Sequence, residues 1–118
     1  TVLCHLTGTP FQPDLKEHVL LLEDRGEAPY RIDRMLTQMW QAGCFEGLAG
    51  LALGSFTDCG ASGEIQEIVA DRLHGLDIPI LAGFDVGHES VNLTLPVGVP
   101  VMLDTATATL SSQTSALV

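Results

Sequence analysis

The sequence predicts a mixed α/β fold with a largely parallel centre, two main helices and a C-terminal β-hairpin. Three observations carry that expectation. Aliphatic runs at Val19–Leu22, Leu48–Leu53 and Ile78–Ala82 are short enough for strands and apolar enough to be covered on both faces. Two stretches between them repeat their apolar residues at helical spacing. The last third turns β-prone on either side of a short polar turn.

Taken in order, Thr1–Leu6 is compatible with a short helix or a strand, and Thr7–Asp14 is a loop punctuated by Gly8, Pro10 and Pro13. Val19–Leu22 is the first strand, and Glu23 and Asp24 follow it directly. Unpaired carboxylates are costly to bury, so this acidic pair belongs at the strand's carboxyl end, where the chain leaves the core. A solvated, helix-capping turn is the plainer account of the same two residues. Pro29 suits a first helical turn, where its missing N–H has no partner to lose. Ile32, Met35, Leu36, Met39 and Trp40 then make one apolar face, and Gly43 reads as the C-cap. Leu48–Leu53 is the second strand and GSFTDCG the loop after it. A helix is expected from about Ser62, as N-cap, to Leu73, with Ile65, Ile68, Val69 and Leu73 facing inward. Its acids lie early and Arg72 and His74 late, as the helix dipole favours. Gly75 ends it, and Ile78–Ala82 is the third strand. A polar loop, GFDVGHESVN, follows. Val97–Leu103 and Thr107–Leu110 bracket a turn at 104–106, and Ser111–Val118 reads as a tail.

Composition narrows the function. At 118 residues and 46% hydrophobic, the chain is large enough for one domain with a core, and only 5% aromatic content makes that core aliphatic. Five Lys and Arg against fifteen Asp and Glu give a net charge of −10, which argues against nucleic acid and anionic membrane as partners. Three cysteines without CxxC spacing indicate neither a disulfide framework nor a zinc ribbon, and a reducing compartment fits best. No apolar run reaches the length of a membrane span. The start at Thr1, already apolar and without Met, has the look of a cut inside a longer protein.

If the three strands are parallel, the loops at Glu23, Asp58 and His88 converge on one edge of the sheet, where ligands gather in open α/β sheets. His88 sits between Gly87 and Asn92, where a general base can reach substrate. Glu23 is a carboxylate able to fix its tautomer, with Asp24, Asp58 and Asp85 as competitors. No GxSxG elbow supplies a nucleophile, and neither Ser55 nor Ser90 has a nucleophile's local setting. Cys59 with His88 is a weaker possibility, and a small residue in a tight loop accounts for it more simply. A metal site from Glu23, Asp58, Cys59 and His88 lacks ligand spacing.

The blocks LLLEDRGEAPYRIDRML, LxLGSFTDCG and GFDVGHESVNLTLPVG, in that order, make the chain resemble the LD-carboxypeptidase family from Thr1 to about Thr109. These serine peptidases remove the terminal D-alanine from murein tetrapeptides, and the microcin-C immunity peptidases are among them. The resemblance implies a swivelling β/β/α-type domain that is the C-terminal half of a two-domain enzyme. The N-terminal, serine-bearing domain is then absent from residues 1–118. Carried over by motif, Glu23 and His88 are the Glu and His of a Ser-Glu-His triad, and this chain alone is expected to be inactive. Asp24, Glu27, Arg31 and Asp58 either shape the substrate site or pair with one another. Murein tetrapeptide, the missing domain and a second copy in a homodimer are the implied partners, with no cofactor and no metal, in a cytoplasmic setting. A different class of function, a non-catalytic binding or assembly module, predicts Glu23 and His88 apart or merely capping strands.

Overall fold

The computed structural model describes residues 1–115. Its elements run α1 (Val2–His5), β1 (Val19–Arg25), α2 (Pro29–Gln41), β2 (Gly50–Thr57), α3 (Glu64–Leu73), β3 (Ile80–Ala82), β4 (Val101–Asp104) and β5 (Thr109–Ser112). Strands β1, β2 and β3 form a parallel sheet in that order, and β4 and β5 form a separate antiparallel pair. Sequential parallel neighbours need crossovers, and the right-handed rule puts α2 and α3 on one face of the sheet. The two helices pack against each other.

The core follows from the periodicity. Leu51, Leu53, Val69 and Leu73 are at most 1% exposed, with Ile32, Leu36, Met39 and Ile65 buried around them. Each such side chain contributes about 1.5–3 kcal/mol by leaving water. Met35 and Ile68 pack at the margin of this cluster. Trp40 ends the apolar face of α2 and departs from the expected burial. It is 41% exposed and leans on Gly75, where an added Cβ would lie 3.4 Å from its ring. Leu103 of the hairpin reaches back to the start of β2, where a Cβ added at Gly50 would lie 2.9 Å from its Cδ2.

Several boundaries differ from the sequence reading, each for a physical reason. Thr1–Leu6 resolves into one helical turn, with the buried Cys4 facing the core. Strand β1 continues through Glu23, Asp24 and Arg25, because Asp24 and Arg25 still pair with Phe56 and Thr57 of β2. Strand β2 takes in Gly54–Thr57, expected as loop, since β1 extends alongside it. The N-cap of α3 is Gly63 at φ 85°, not Ser62, and Glu64 closes the turn by accepting the Ala61 N–H. Ser111 and Ser112 belong to β5, whereas residues 116–118 of the expected tail lie outside the described residues. Among the described residues no helix is long and apolar enough to cross a membrane.

Candidate active site

Glu23 owes its position to an irregularity in the β1–β2 ladder. Leu22 pairs with Leu53, but Asp24 pairs with Phe56, so Gly54 and Ser55 together oppose Glu23. Such a bulge interrupts the pairing and re-aims the side chains beside it. It also keeps Phe56 on the side of Leu22 and Asp24, where the three line one small cavity with Ile32, Met35 and Leu36. The segment after β3 crosses β2 at this point. The Ser55 N–H donates to Val86 O at 2.8 Å, and a Cβ at Gly54 would stand only 2.3 Å from that oxygen.

The crossing brings His88 onto Glu23. His88 Nδ1 lies 2.8 Å from Glu23 Oε2. A carboxylate only accepts, so Nδ1 is the donor, and in the neutral ring Nε2 keeps the free lone pair. The imidazole is 50% exposed and the Glu23 side chain 31%, which leaves the pair open to an incoming group. Gly87, at φ 139°, makes the approach possible. A Cβ there would fall 2.1 Å from Ser55 Oγ and 2.9 Å from Glu23 Oε2. Asn92 Oδ1 accepts the Gly87 N–H at 3.1 Å, and the Leu93 N–H donates to Asp85 O, closing the loop on itself. Thr57 Oγ1 donates to Glu89 Oε1 at 2.9 Å and ties the loop to the end of β2.

The other acidic residues have different surroundings. Asp24 Oδ2 accepts from the Thr1 hydroxyl at 2.8 Å, and Oδ1 from the Arg25 N–H. Glu27 pairs with Arg31 at 3.5 Å, and its Oε1 lies 3.1 Å from the Thr1 hydroxyl, sharing the one proton that is closer to Asp24. Asp58 is exposed in the turn after β2, at φ 56°, and among the described residues no hydrogen bond or ion pair joins it to Glu23 or His88. The structure thus brings Glu23 and His88 together and leaves Asp24 and Asp58 apart from them.

Cys59 has the setting of a structural residue. It is 1% exposed, its Sγ is directed at the carbonyls of Thr57 and Asp24, and burial pushes its thiol up, away from thiolate. Among the described residues no three His, Cys, Asp or Glu side chains gather to hold a metal. Sequence reasoning missed the parts played by Gly54, Thr57 and Asn92. Gly54 alone carried a signal, since a glycine inside a strand often marks a close backbone approach.

The family described as LD-carboxypeptidase C-terminal domain matches residues 1–103, and this chain belongs to that family. A Synechocystis sp. protein that carries a provisional carboxypeptidase name is 45% identical over 116 residues, covering 94% of this chain and 38% of that one. Muramoyltetrapeptide carboxypeptidase from Oxalobacter formigenes superposes with a TM-score of 0.73 at 33% identity, over 85% of this chain and 37% of that one. Microcin C7 self-immunity protein MccF, in complex with aspartyl sulfamoyl adenosine, gives 0.83 at 25% identity, over 96% of this chain and 35% of that one. The chain spans 38% and 36% of the length of two curated relatives it matches.

Proposed function

We propose that this chain supplies the Glu and His of a Ser-Glu-His triad in a serine LD-carboxypeptidase that hydrolyses the bond to the terminal D-alanine of murein tetrapeptides. The observation that carries the reading is the 2.8 Å contact between Glu23 Oε2 and His88 Nδ1 on an open strand edge. His88 Nε2 takes the proton of a serine on a domain outside residues 1–118, and the serine oxygen adds to the scissile carbonyl. Glu23 holds the ring and offsets the charge of the imidazolium. The carbon–nitrogen bond then breaks, the leaving D-alanine amine takes the proton from His88, and water, deprotonated by the same base, frees the acyl group.

The same reading makes the chain inactive without its serine domain. It also gives the whole enzyme a place in cytoplasmic peptidoglycan recycling, as a homodimer. Three free, buried cysteines support a reducing compartment. Asp24 and Asp58 are the substrate contacts this reading offers, and Asp58 is exposed and open to a substrate amine whereas Asp24 is engaged by Thr1. A non-catalytic module predicts Glu23 and His88 apart or merely capping strands, and their 2.8 Å contact favours the triad reading over it. A second peptidase reading, hydrolysis of microcin-like aminoacyl sulfamoyl nucleosides, draws support from the wider overlap with the MccF structure.

The test is release of D-alanine from murein tetrapeptide by the full-length protein, run beside aspartyl sulfamoyl adenosine as the competing substrate. His88→Ala and Glu23→Gln are each expected to lower kcat by about 10⁴-fold. Near-normal turnover by either variant refutes the triad role, and preference for the sulfamoyl adenosine moves the substrate assignment to the second reading.

A further inference from the structure

The hydroxyl of Ser55 has no part in the proposed chemistry, yet it makes two hydrogen bonds to the segment that carries His88. Its residue stands in the bulge opposite Glu23. Ser55 Oγ donates to Val86 O at 3.2 Å and accepts the His88 N–H at 3.2 Å. The Ser55 backbone N–H donates to the same Val86 oxygen at 2.8 Å. One residue of β2 thus grips the loop on both sides of Gly87, and the imidazole is carried by the backbone it grips. The single proton of this hydroxyl is directed at Val86 O, a carbonyl that cannot act as the base a nucleophilic serine needs.

We propose that Ser55 is the positioning residue of this site, setting the His88 imidazole at hydrogen-bond distance from Glu23; the inference rests on the triad reading above. Removing the hydroxyl leaves the His88 N–H without its acceptor and cuts the bonds between Ser55 and the Val86–His88 segment from three to one. The ring then samples positions from which Nδ1 no longer reaches the carboxylate. Reaction rates respond steeply to such displacement, because a shift of about 1 Å costs on the order of a hundredfold.

The experiment combines kinetics of the full-length protein on murein tetrapeptide with the ¹⁵N resonances of the His88 imidazole in the 118-residue chain. Ser55→Ala is expected to lower kcat at least about tenfold with KM within about twofold. The ring should pass from one Nδ1–H tautomer to the mixture of an unrestrained histidine. Thr57→Ala cuts a different tie to the same loop, that with Glu89, and is expected to leave both readouts near wild type. If Ser55→Ala does not fold, Ser55→Cys, nearly the same shape with a far weaker hydrogen-bonding group, is judged by the same two readouts. Wild-type kcat and tautomer in the Ser55 variant, with both lost in Glu23→Gln, overturn the positioning role alone. Equal losses in Thr57→Ala and Ser55→Ala also overturn it, since general loosening of the loop would then suffice. If Glu23→Gln itself keeps both readouts, the triad reading falls and this inference falls with it.

Discussion

Gly54→Ala sets two effects of opposite sign against each other. Gly54 does not have a positive φ, so alanine is conformationally welcome there and, by restricting the unfolded chain, contributes about 0.4–1 kcal/mol of stability. Against this, the new Cβ would meet Val86 O at 2.3 Å and Glu23 Cβ at 3.2 Å. The first contact is with backbone, so rotamer changes cannot relieve it. The crossing segment must lift by about 0.7 Å, an overpacking that costs about 1–3 kcal/mol. The lift also stretches the 2.8 Å bond from Ser55 N–H to Val86 O, with the loss of about 1 kcal/mol. The steric side wins, and the expected net loss is about 2 kcal/mol. Urea unfolding of the 118-residue chain, followed by circular dichroism, measures it directly. A midpoint equal to or above wild type, at unchanged slope, would mean that the segment after β3 does not lie across β2, and the account of how His88 reaches Glu23 would be wrong.

Two further expectations concern charge and thiol chemistry. Arg72, hydrogen-bonded and paired to Asp33 between α3 and α2, holds the Asp33 carboxyl below its ordinary value of 3.8. A folded-state value below the unfolded one stabilises the fold above the unfolded value and loses that contribution as pH falls through the folded one. The difference in melting temperature between wild type and Asp33→Asn should therefore be flat from about pH 7 to about 4 and shrink below that; a flat difference down to about pH 2.5 counts against the pair. Burial pushes the thiols of Cys4 and Cys59 up, and all three cysteines are buried. Native protein at about pH 8 should thus react with Ellman's reagent only on the timescale of unfolding, and a rapidly modified thiol would show one of these environments to be open.

The fold was largely legible because its signals are local. Apolar runs and helical periodicity placed β1, α2, β2, α3 and β3 in order, and the β-prone end placed the hairpin. The Glu23–His88 pair was legible as a convergence of strand ends, since parallel strands bring their carboxyl edges together whatever the loops between them do. The bulge was not legible. It depends on β2 spending two residues where β1 spends one, and nothing in GSFT separates a strand that carries a bulge from the loop first expected there. The uses of Ser55 and Thr57 were hidden for the same reason, because their partners Val86, His88 and Glu89 lie about thirty residues away and meet them only once the sheet has formed. Ser62 as N-cap failed because the chain turns at Gly63, in the left-handed region at φ 85°, and the helix starts at Glu64, one residue later than a cap at Ser62 requires.

The unevenness of the β1–β2 ladder also says which changes in chain length this sheet would reward. Deleting Ser55 would remove the mismatch in pairing and let Leu22–Arg25 and the shortened β2 run in uninterrupted register, a tidier strand by any local measure of sheet quality. It would also take away the hydroxyl under His88 and the donor to Val86 O in one step. A sequence optimised here only for sheet regularity would converge on that deletion, and its sounder β-sheet would no longer bring the histidine to the carboxylate.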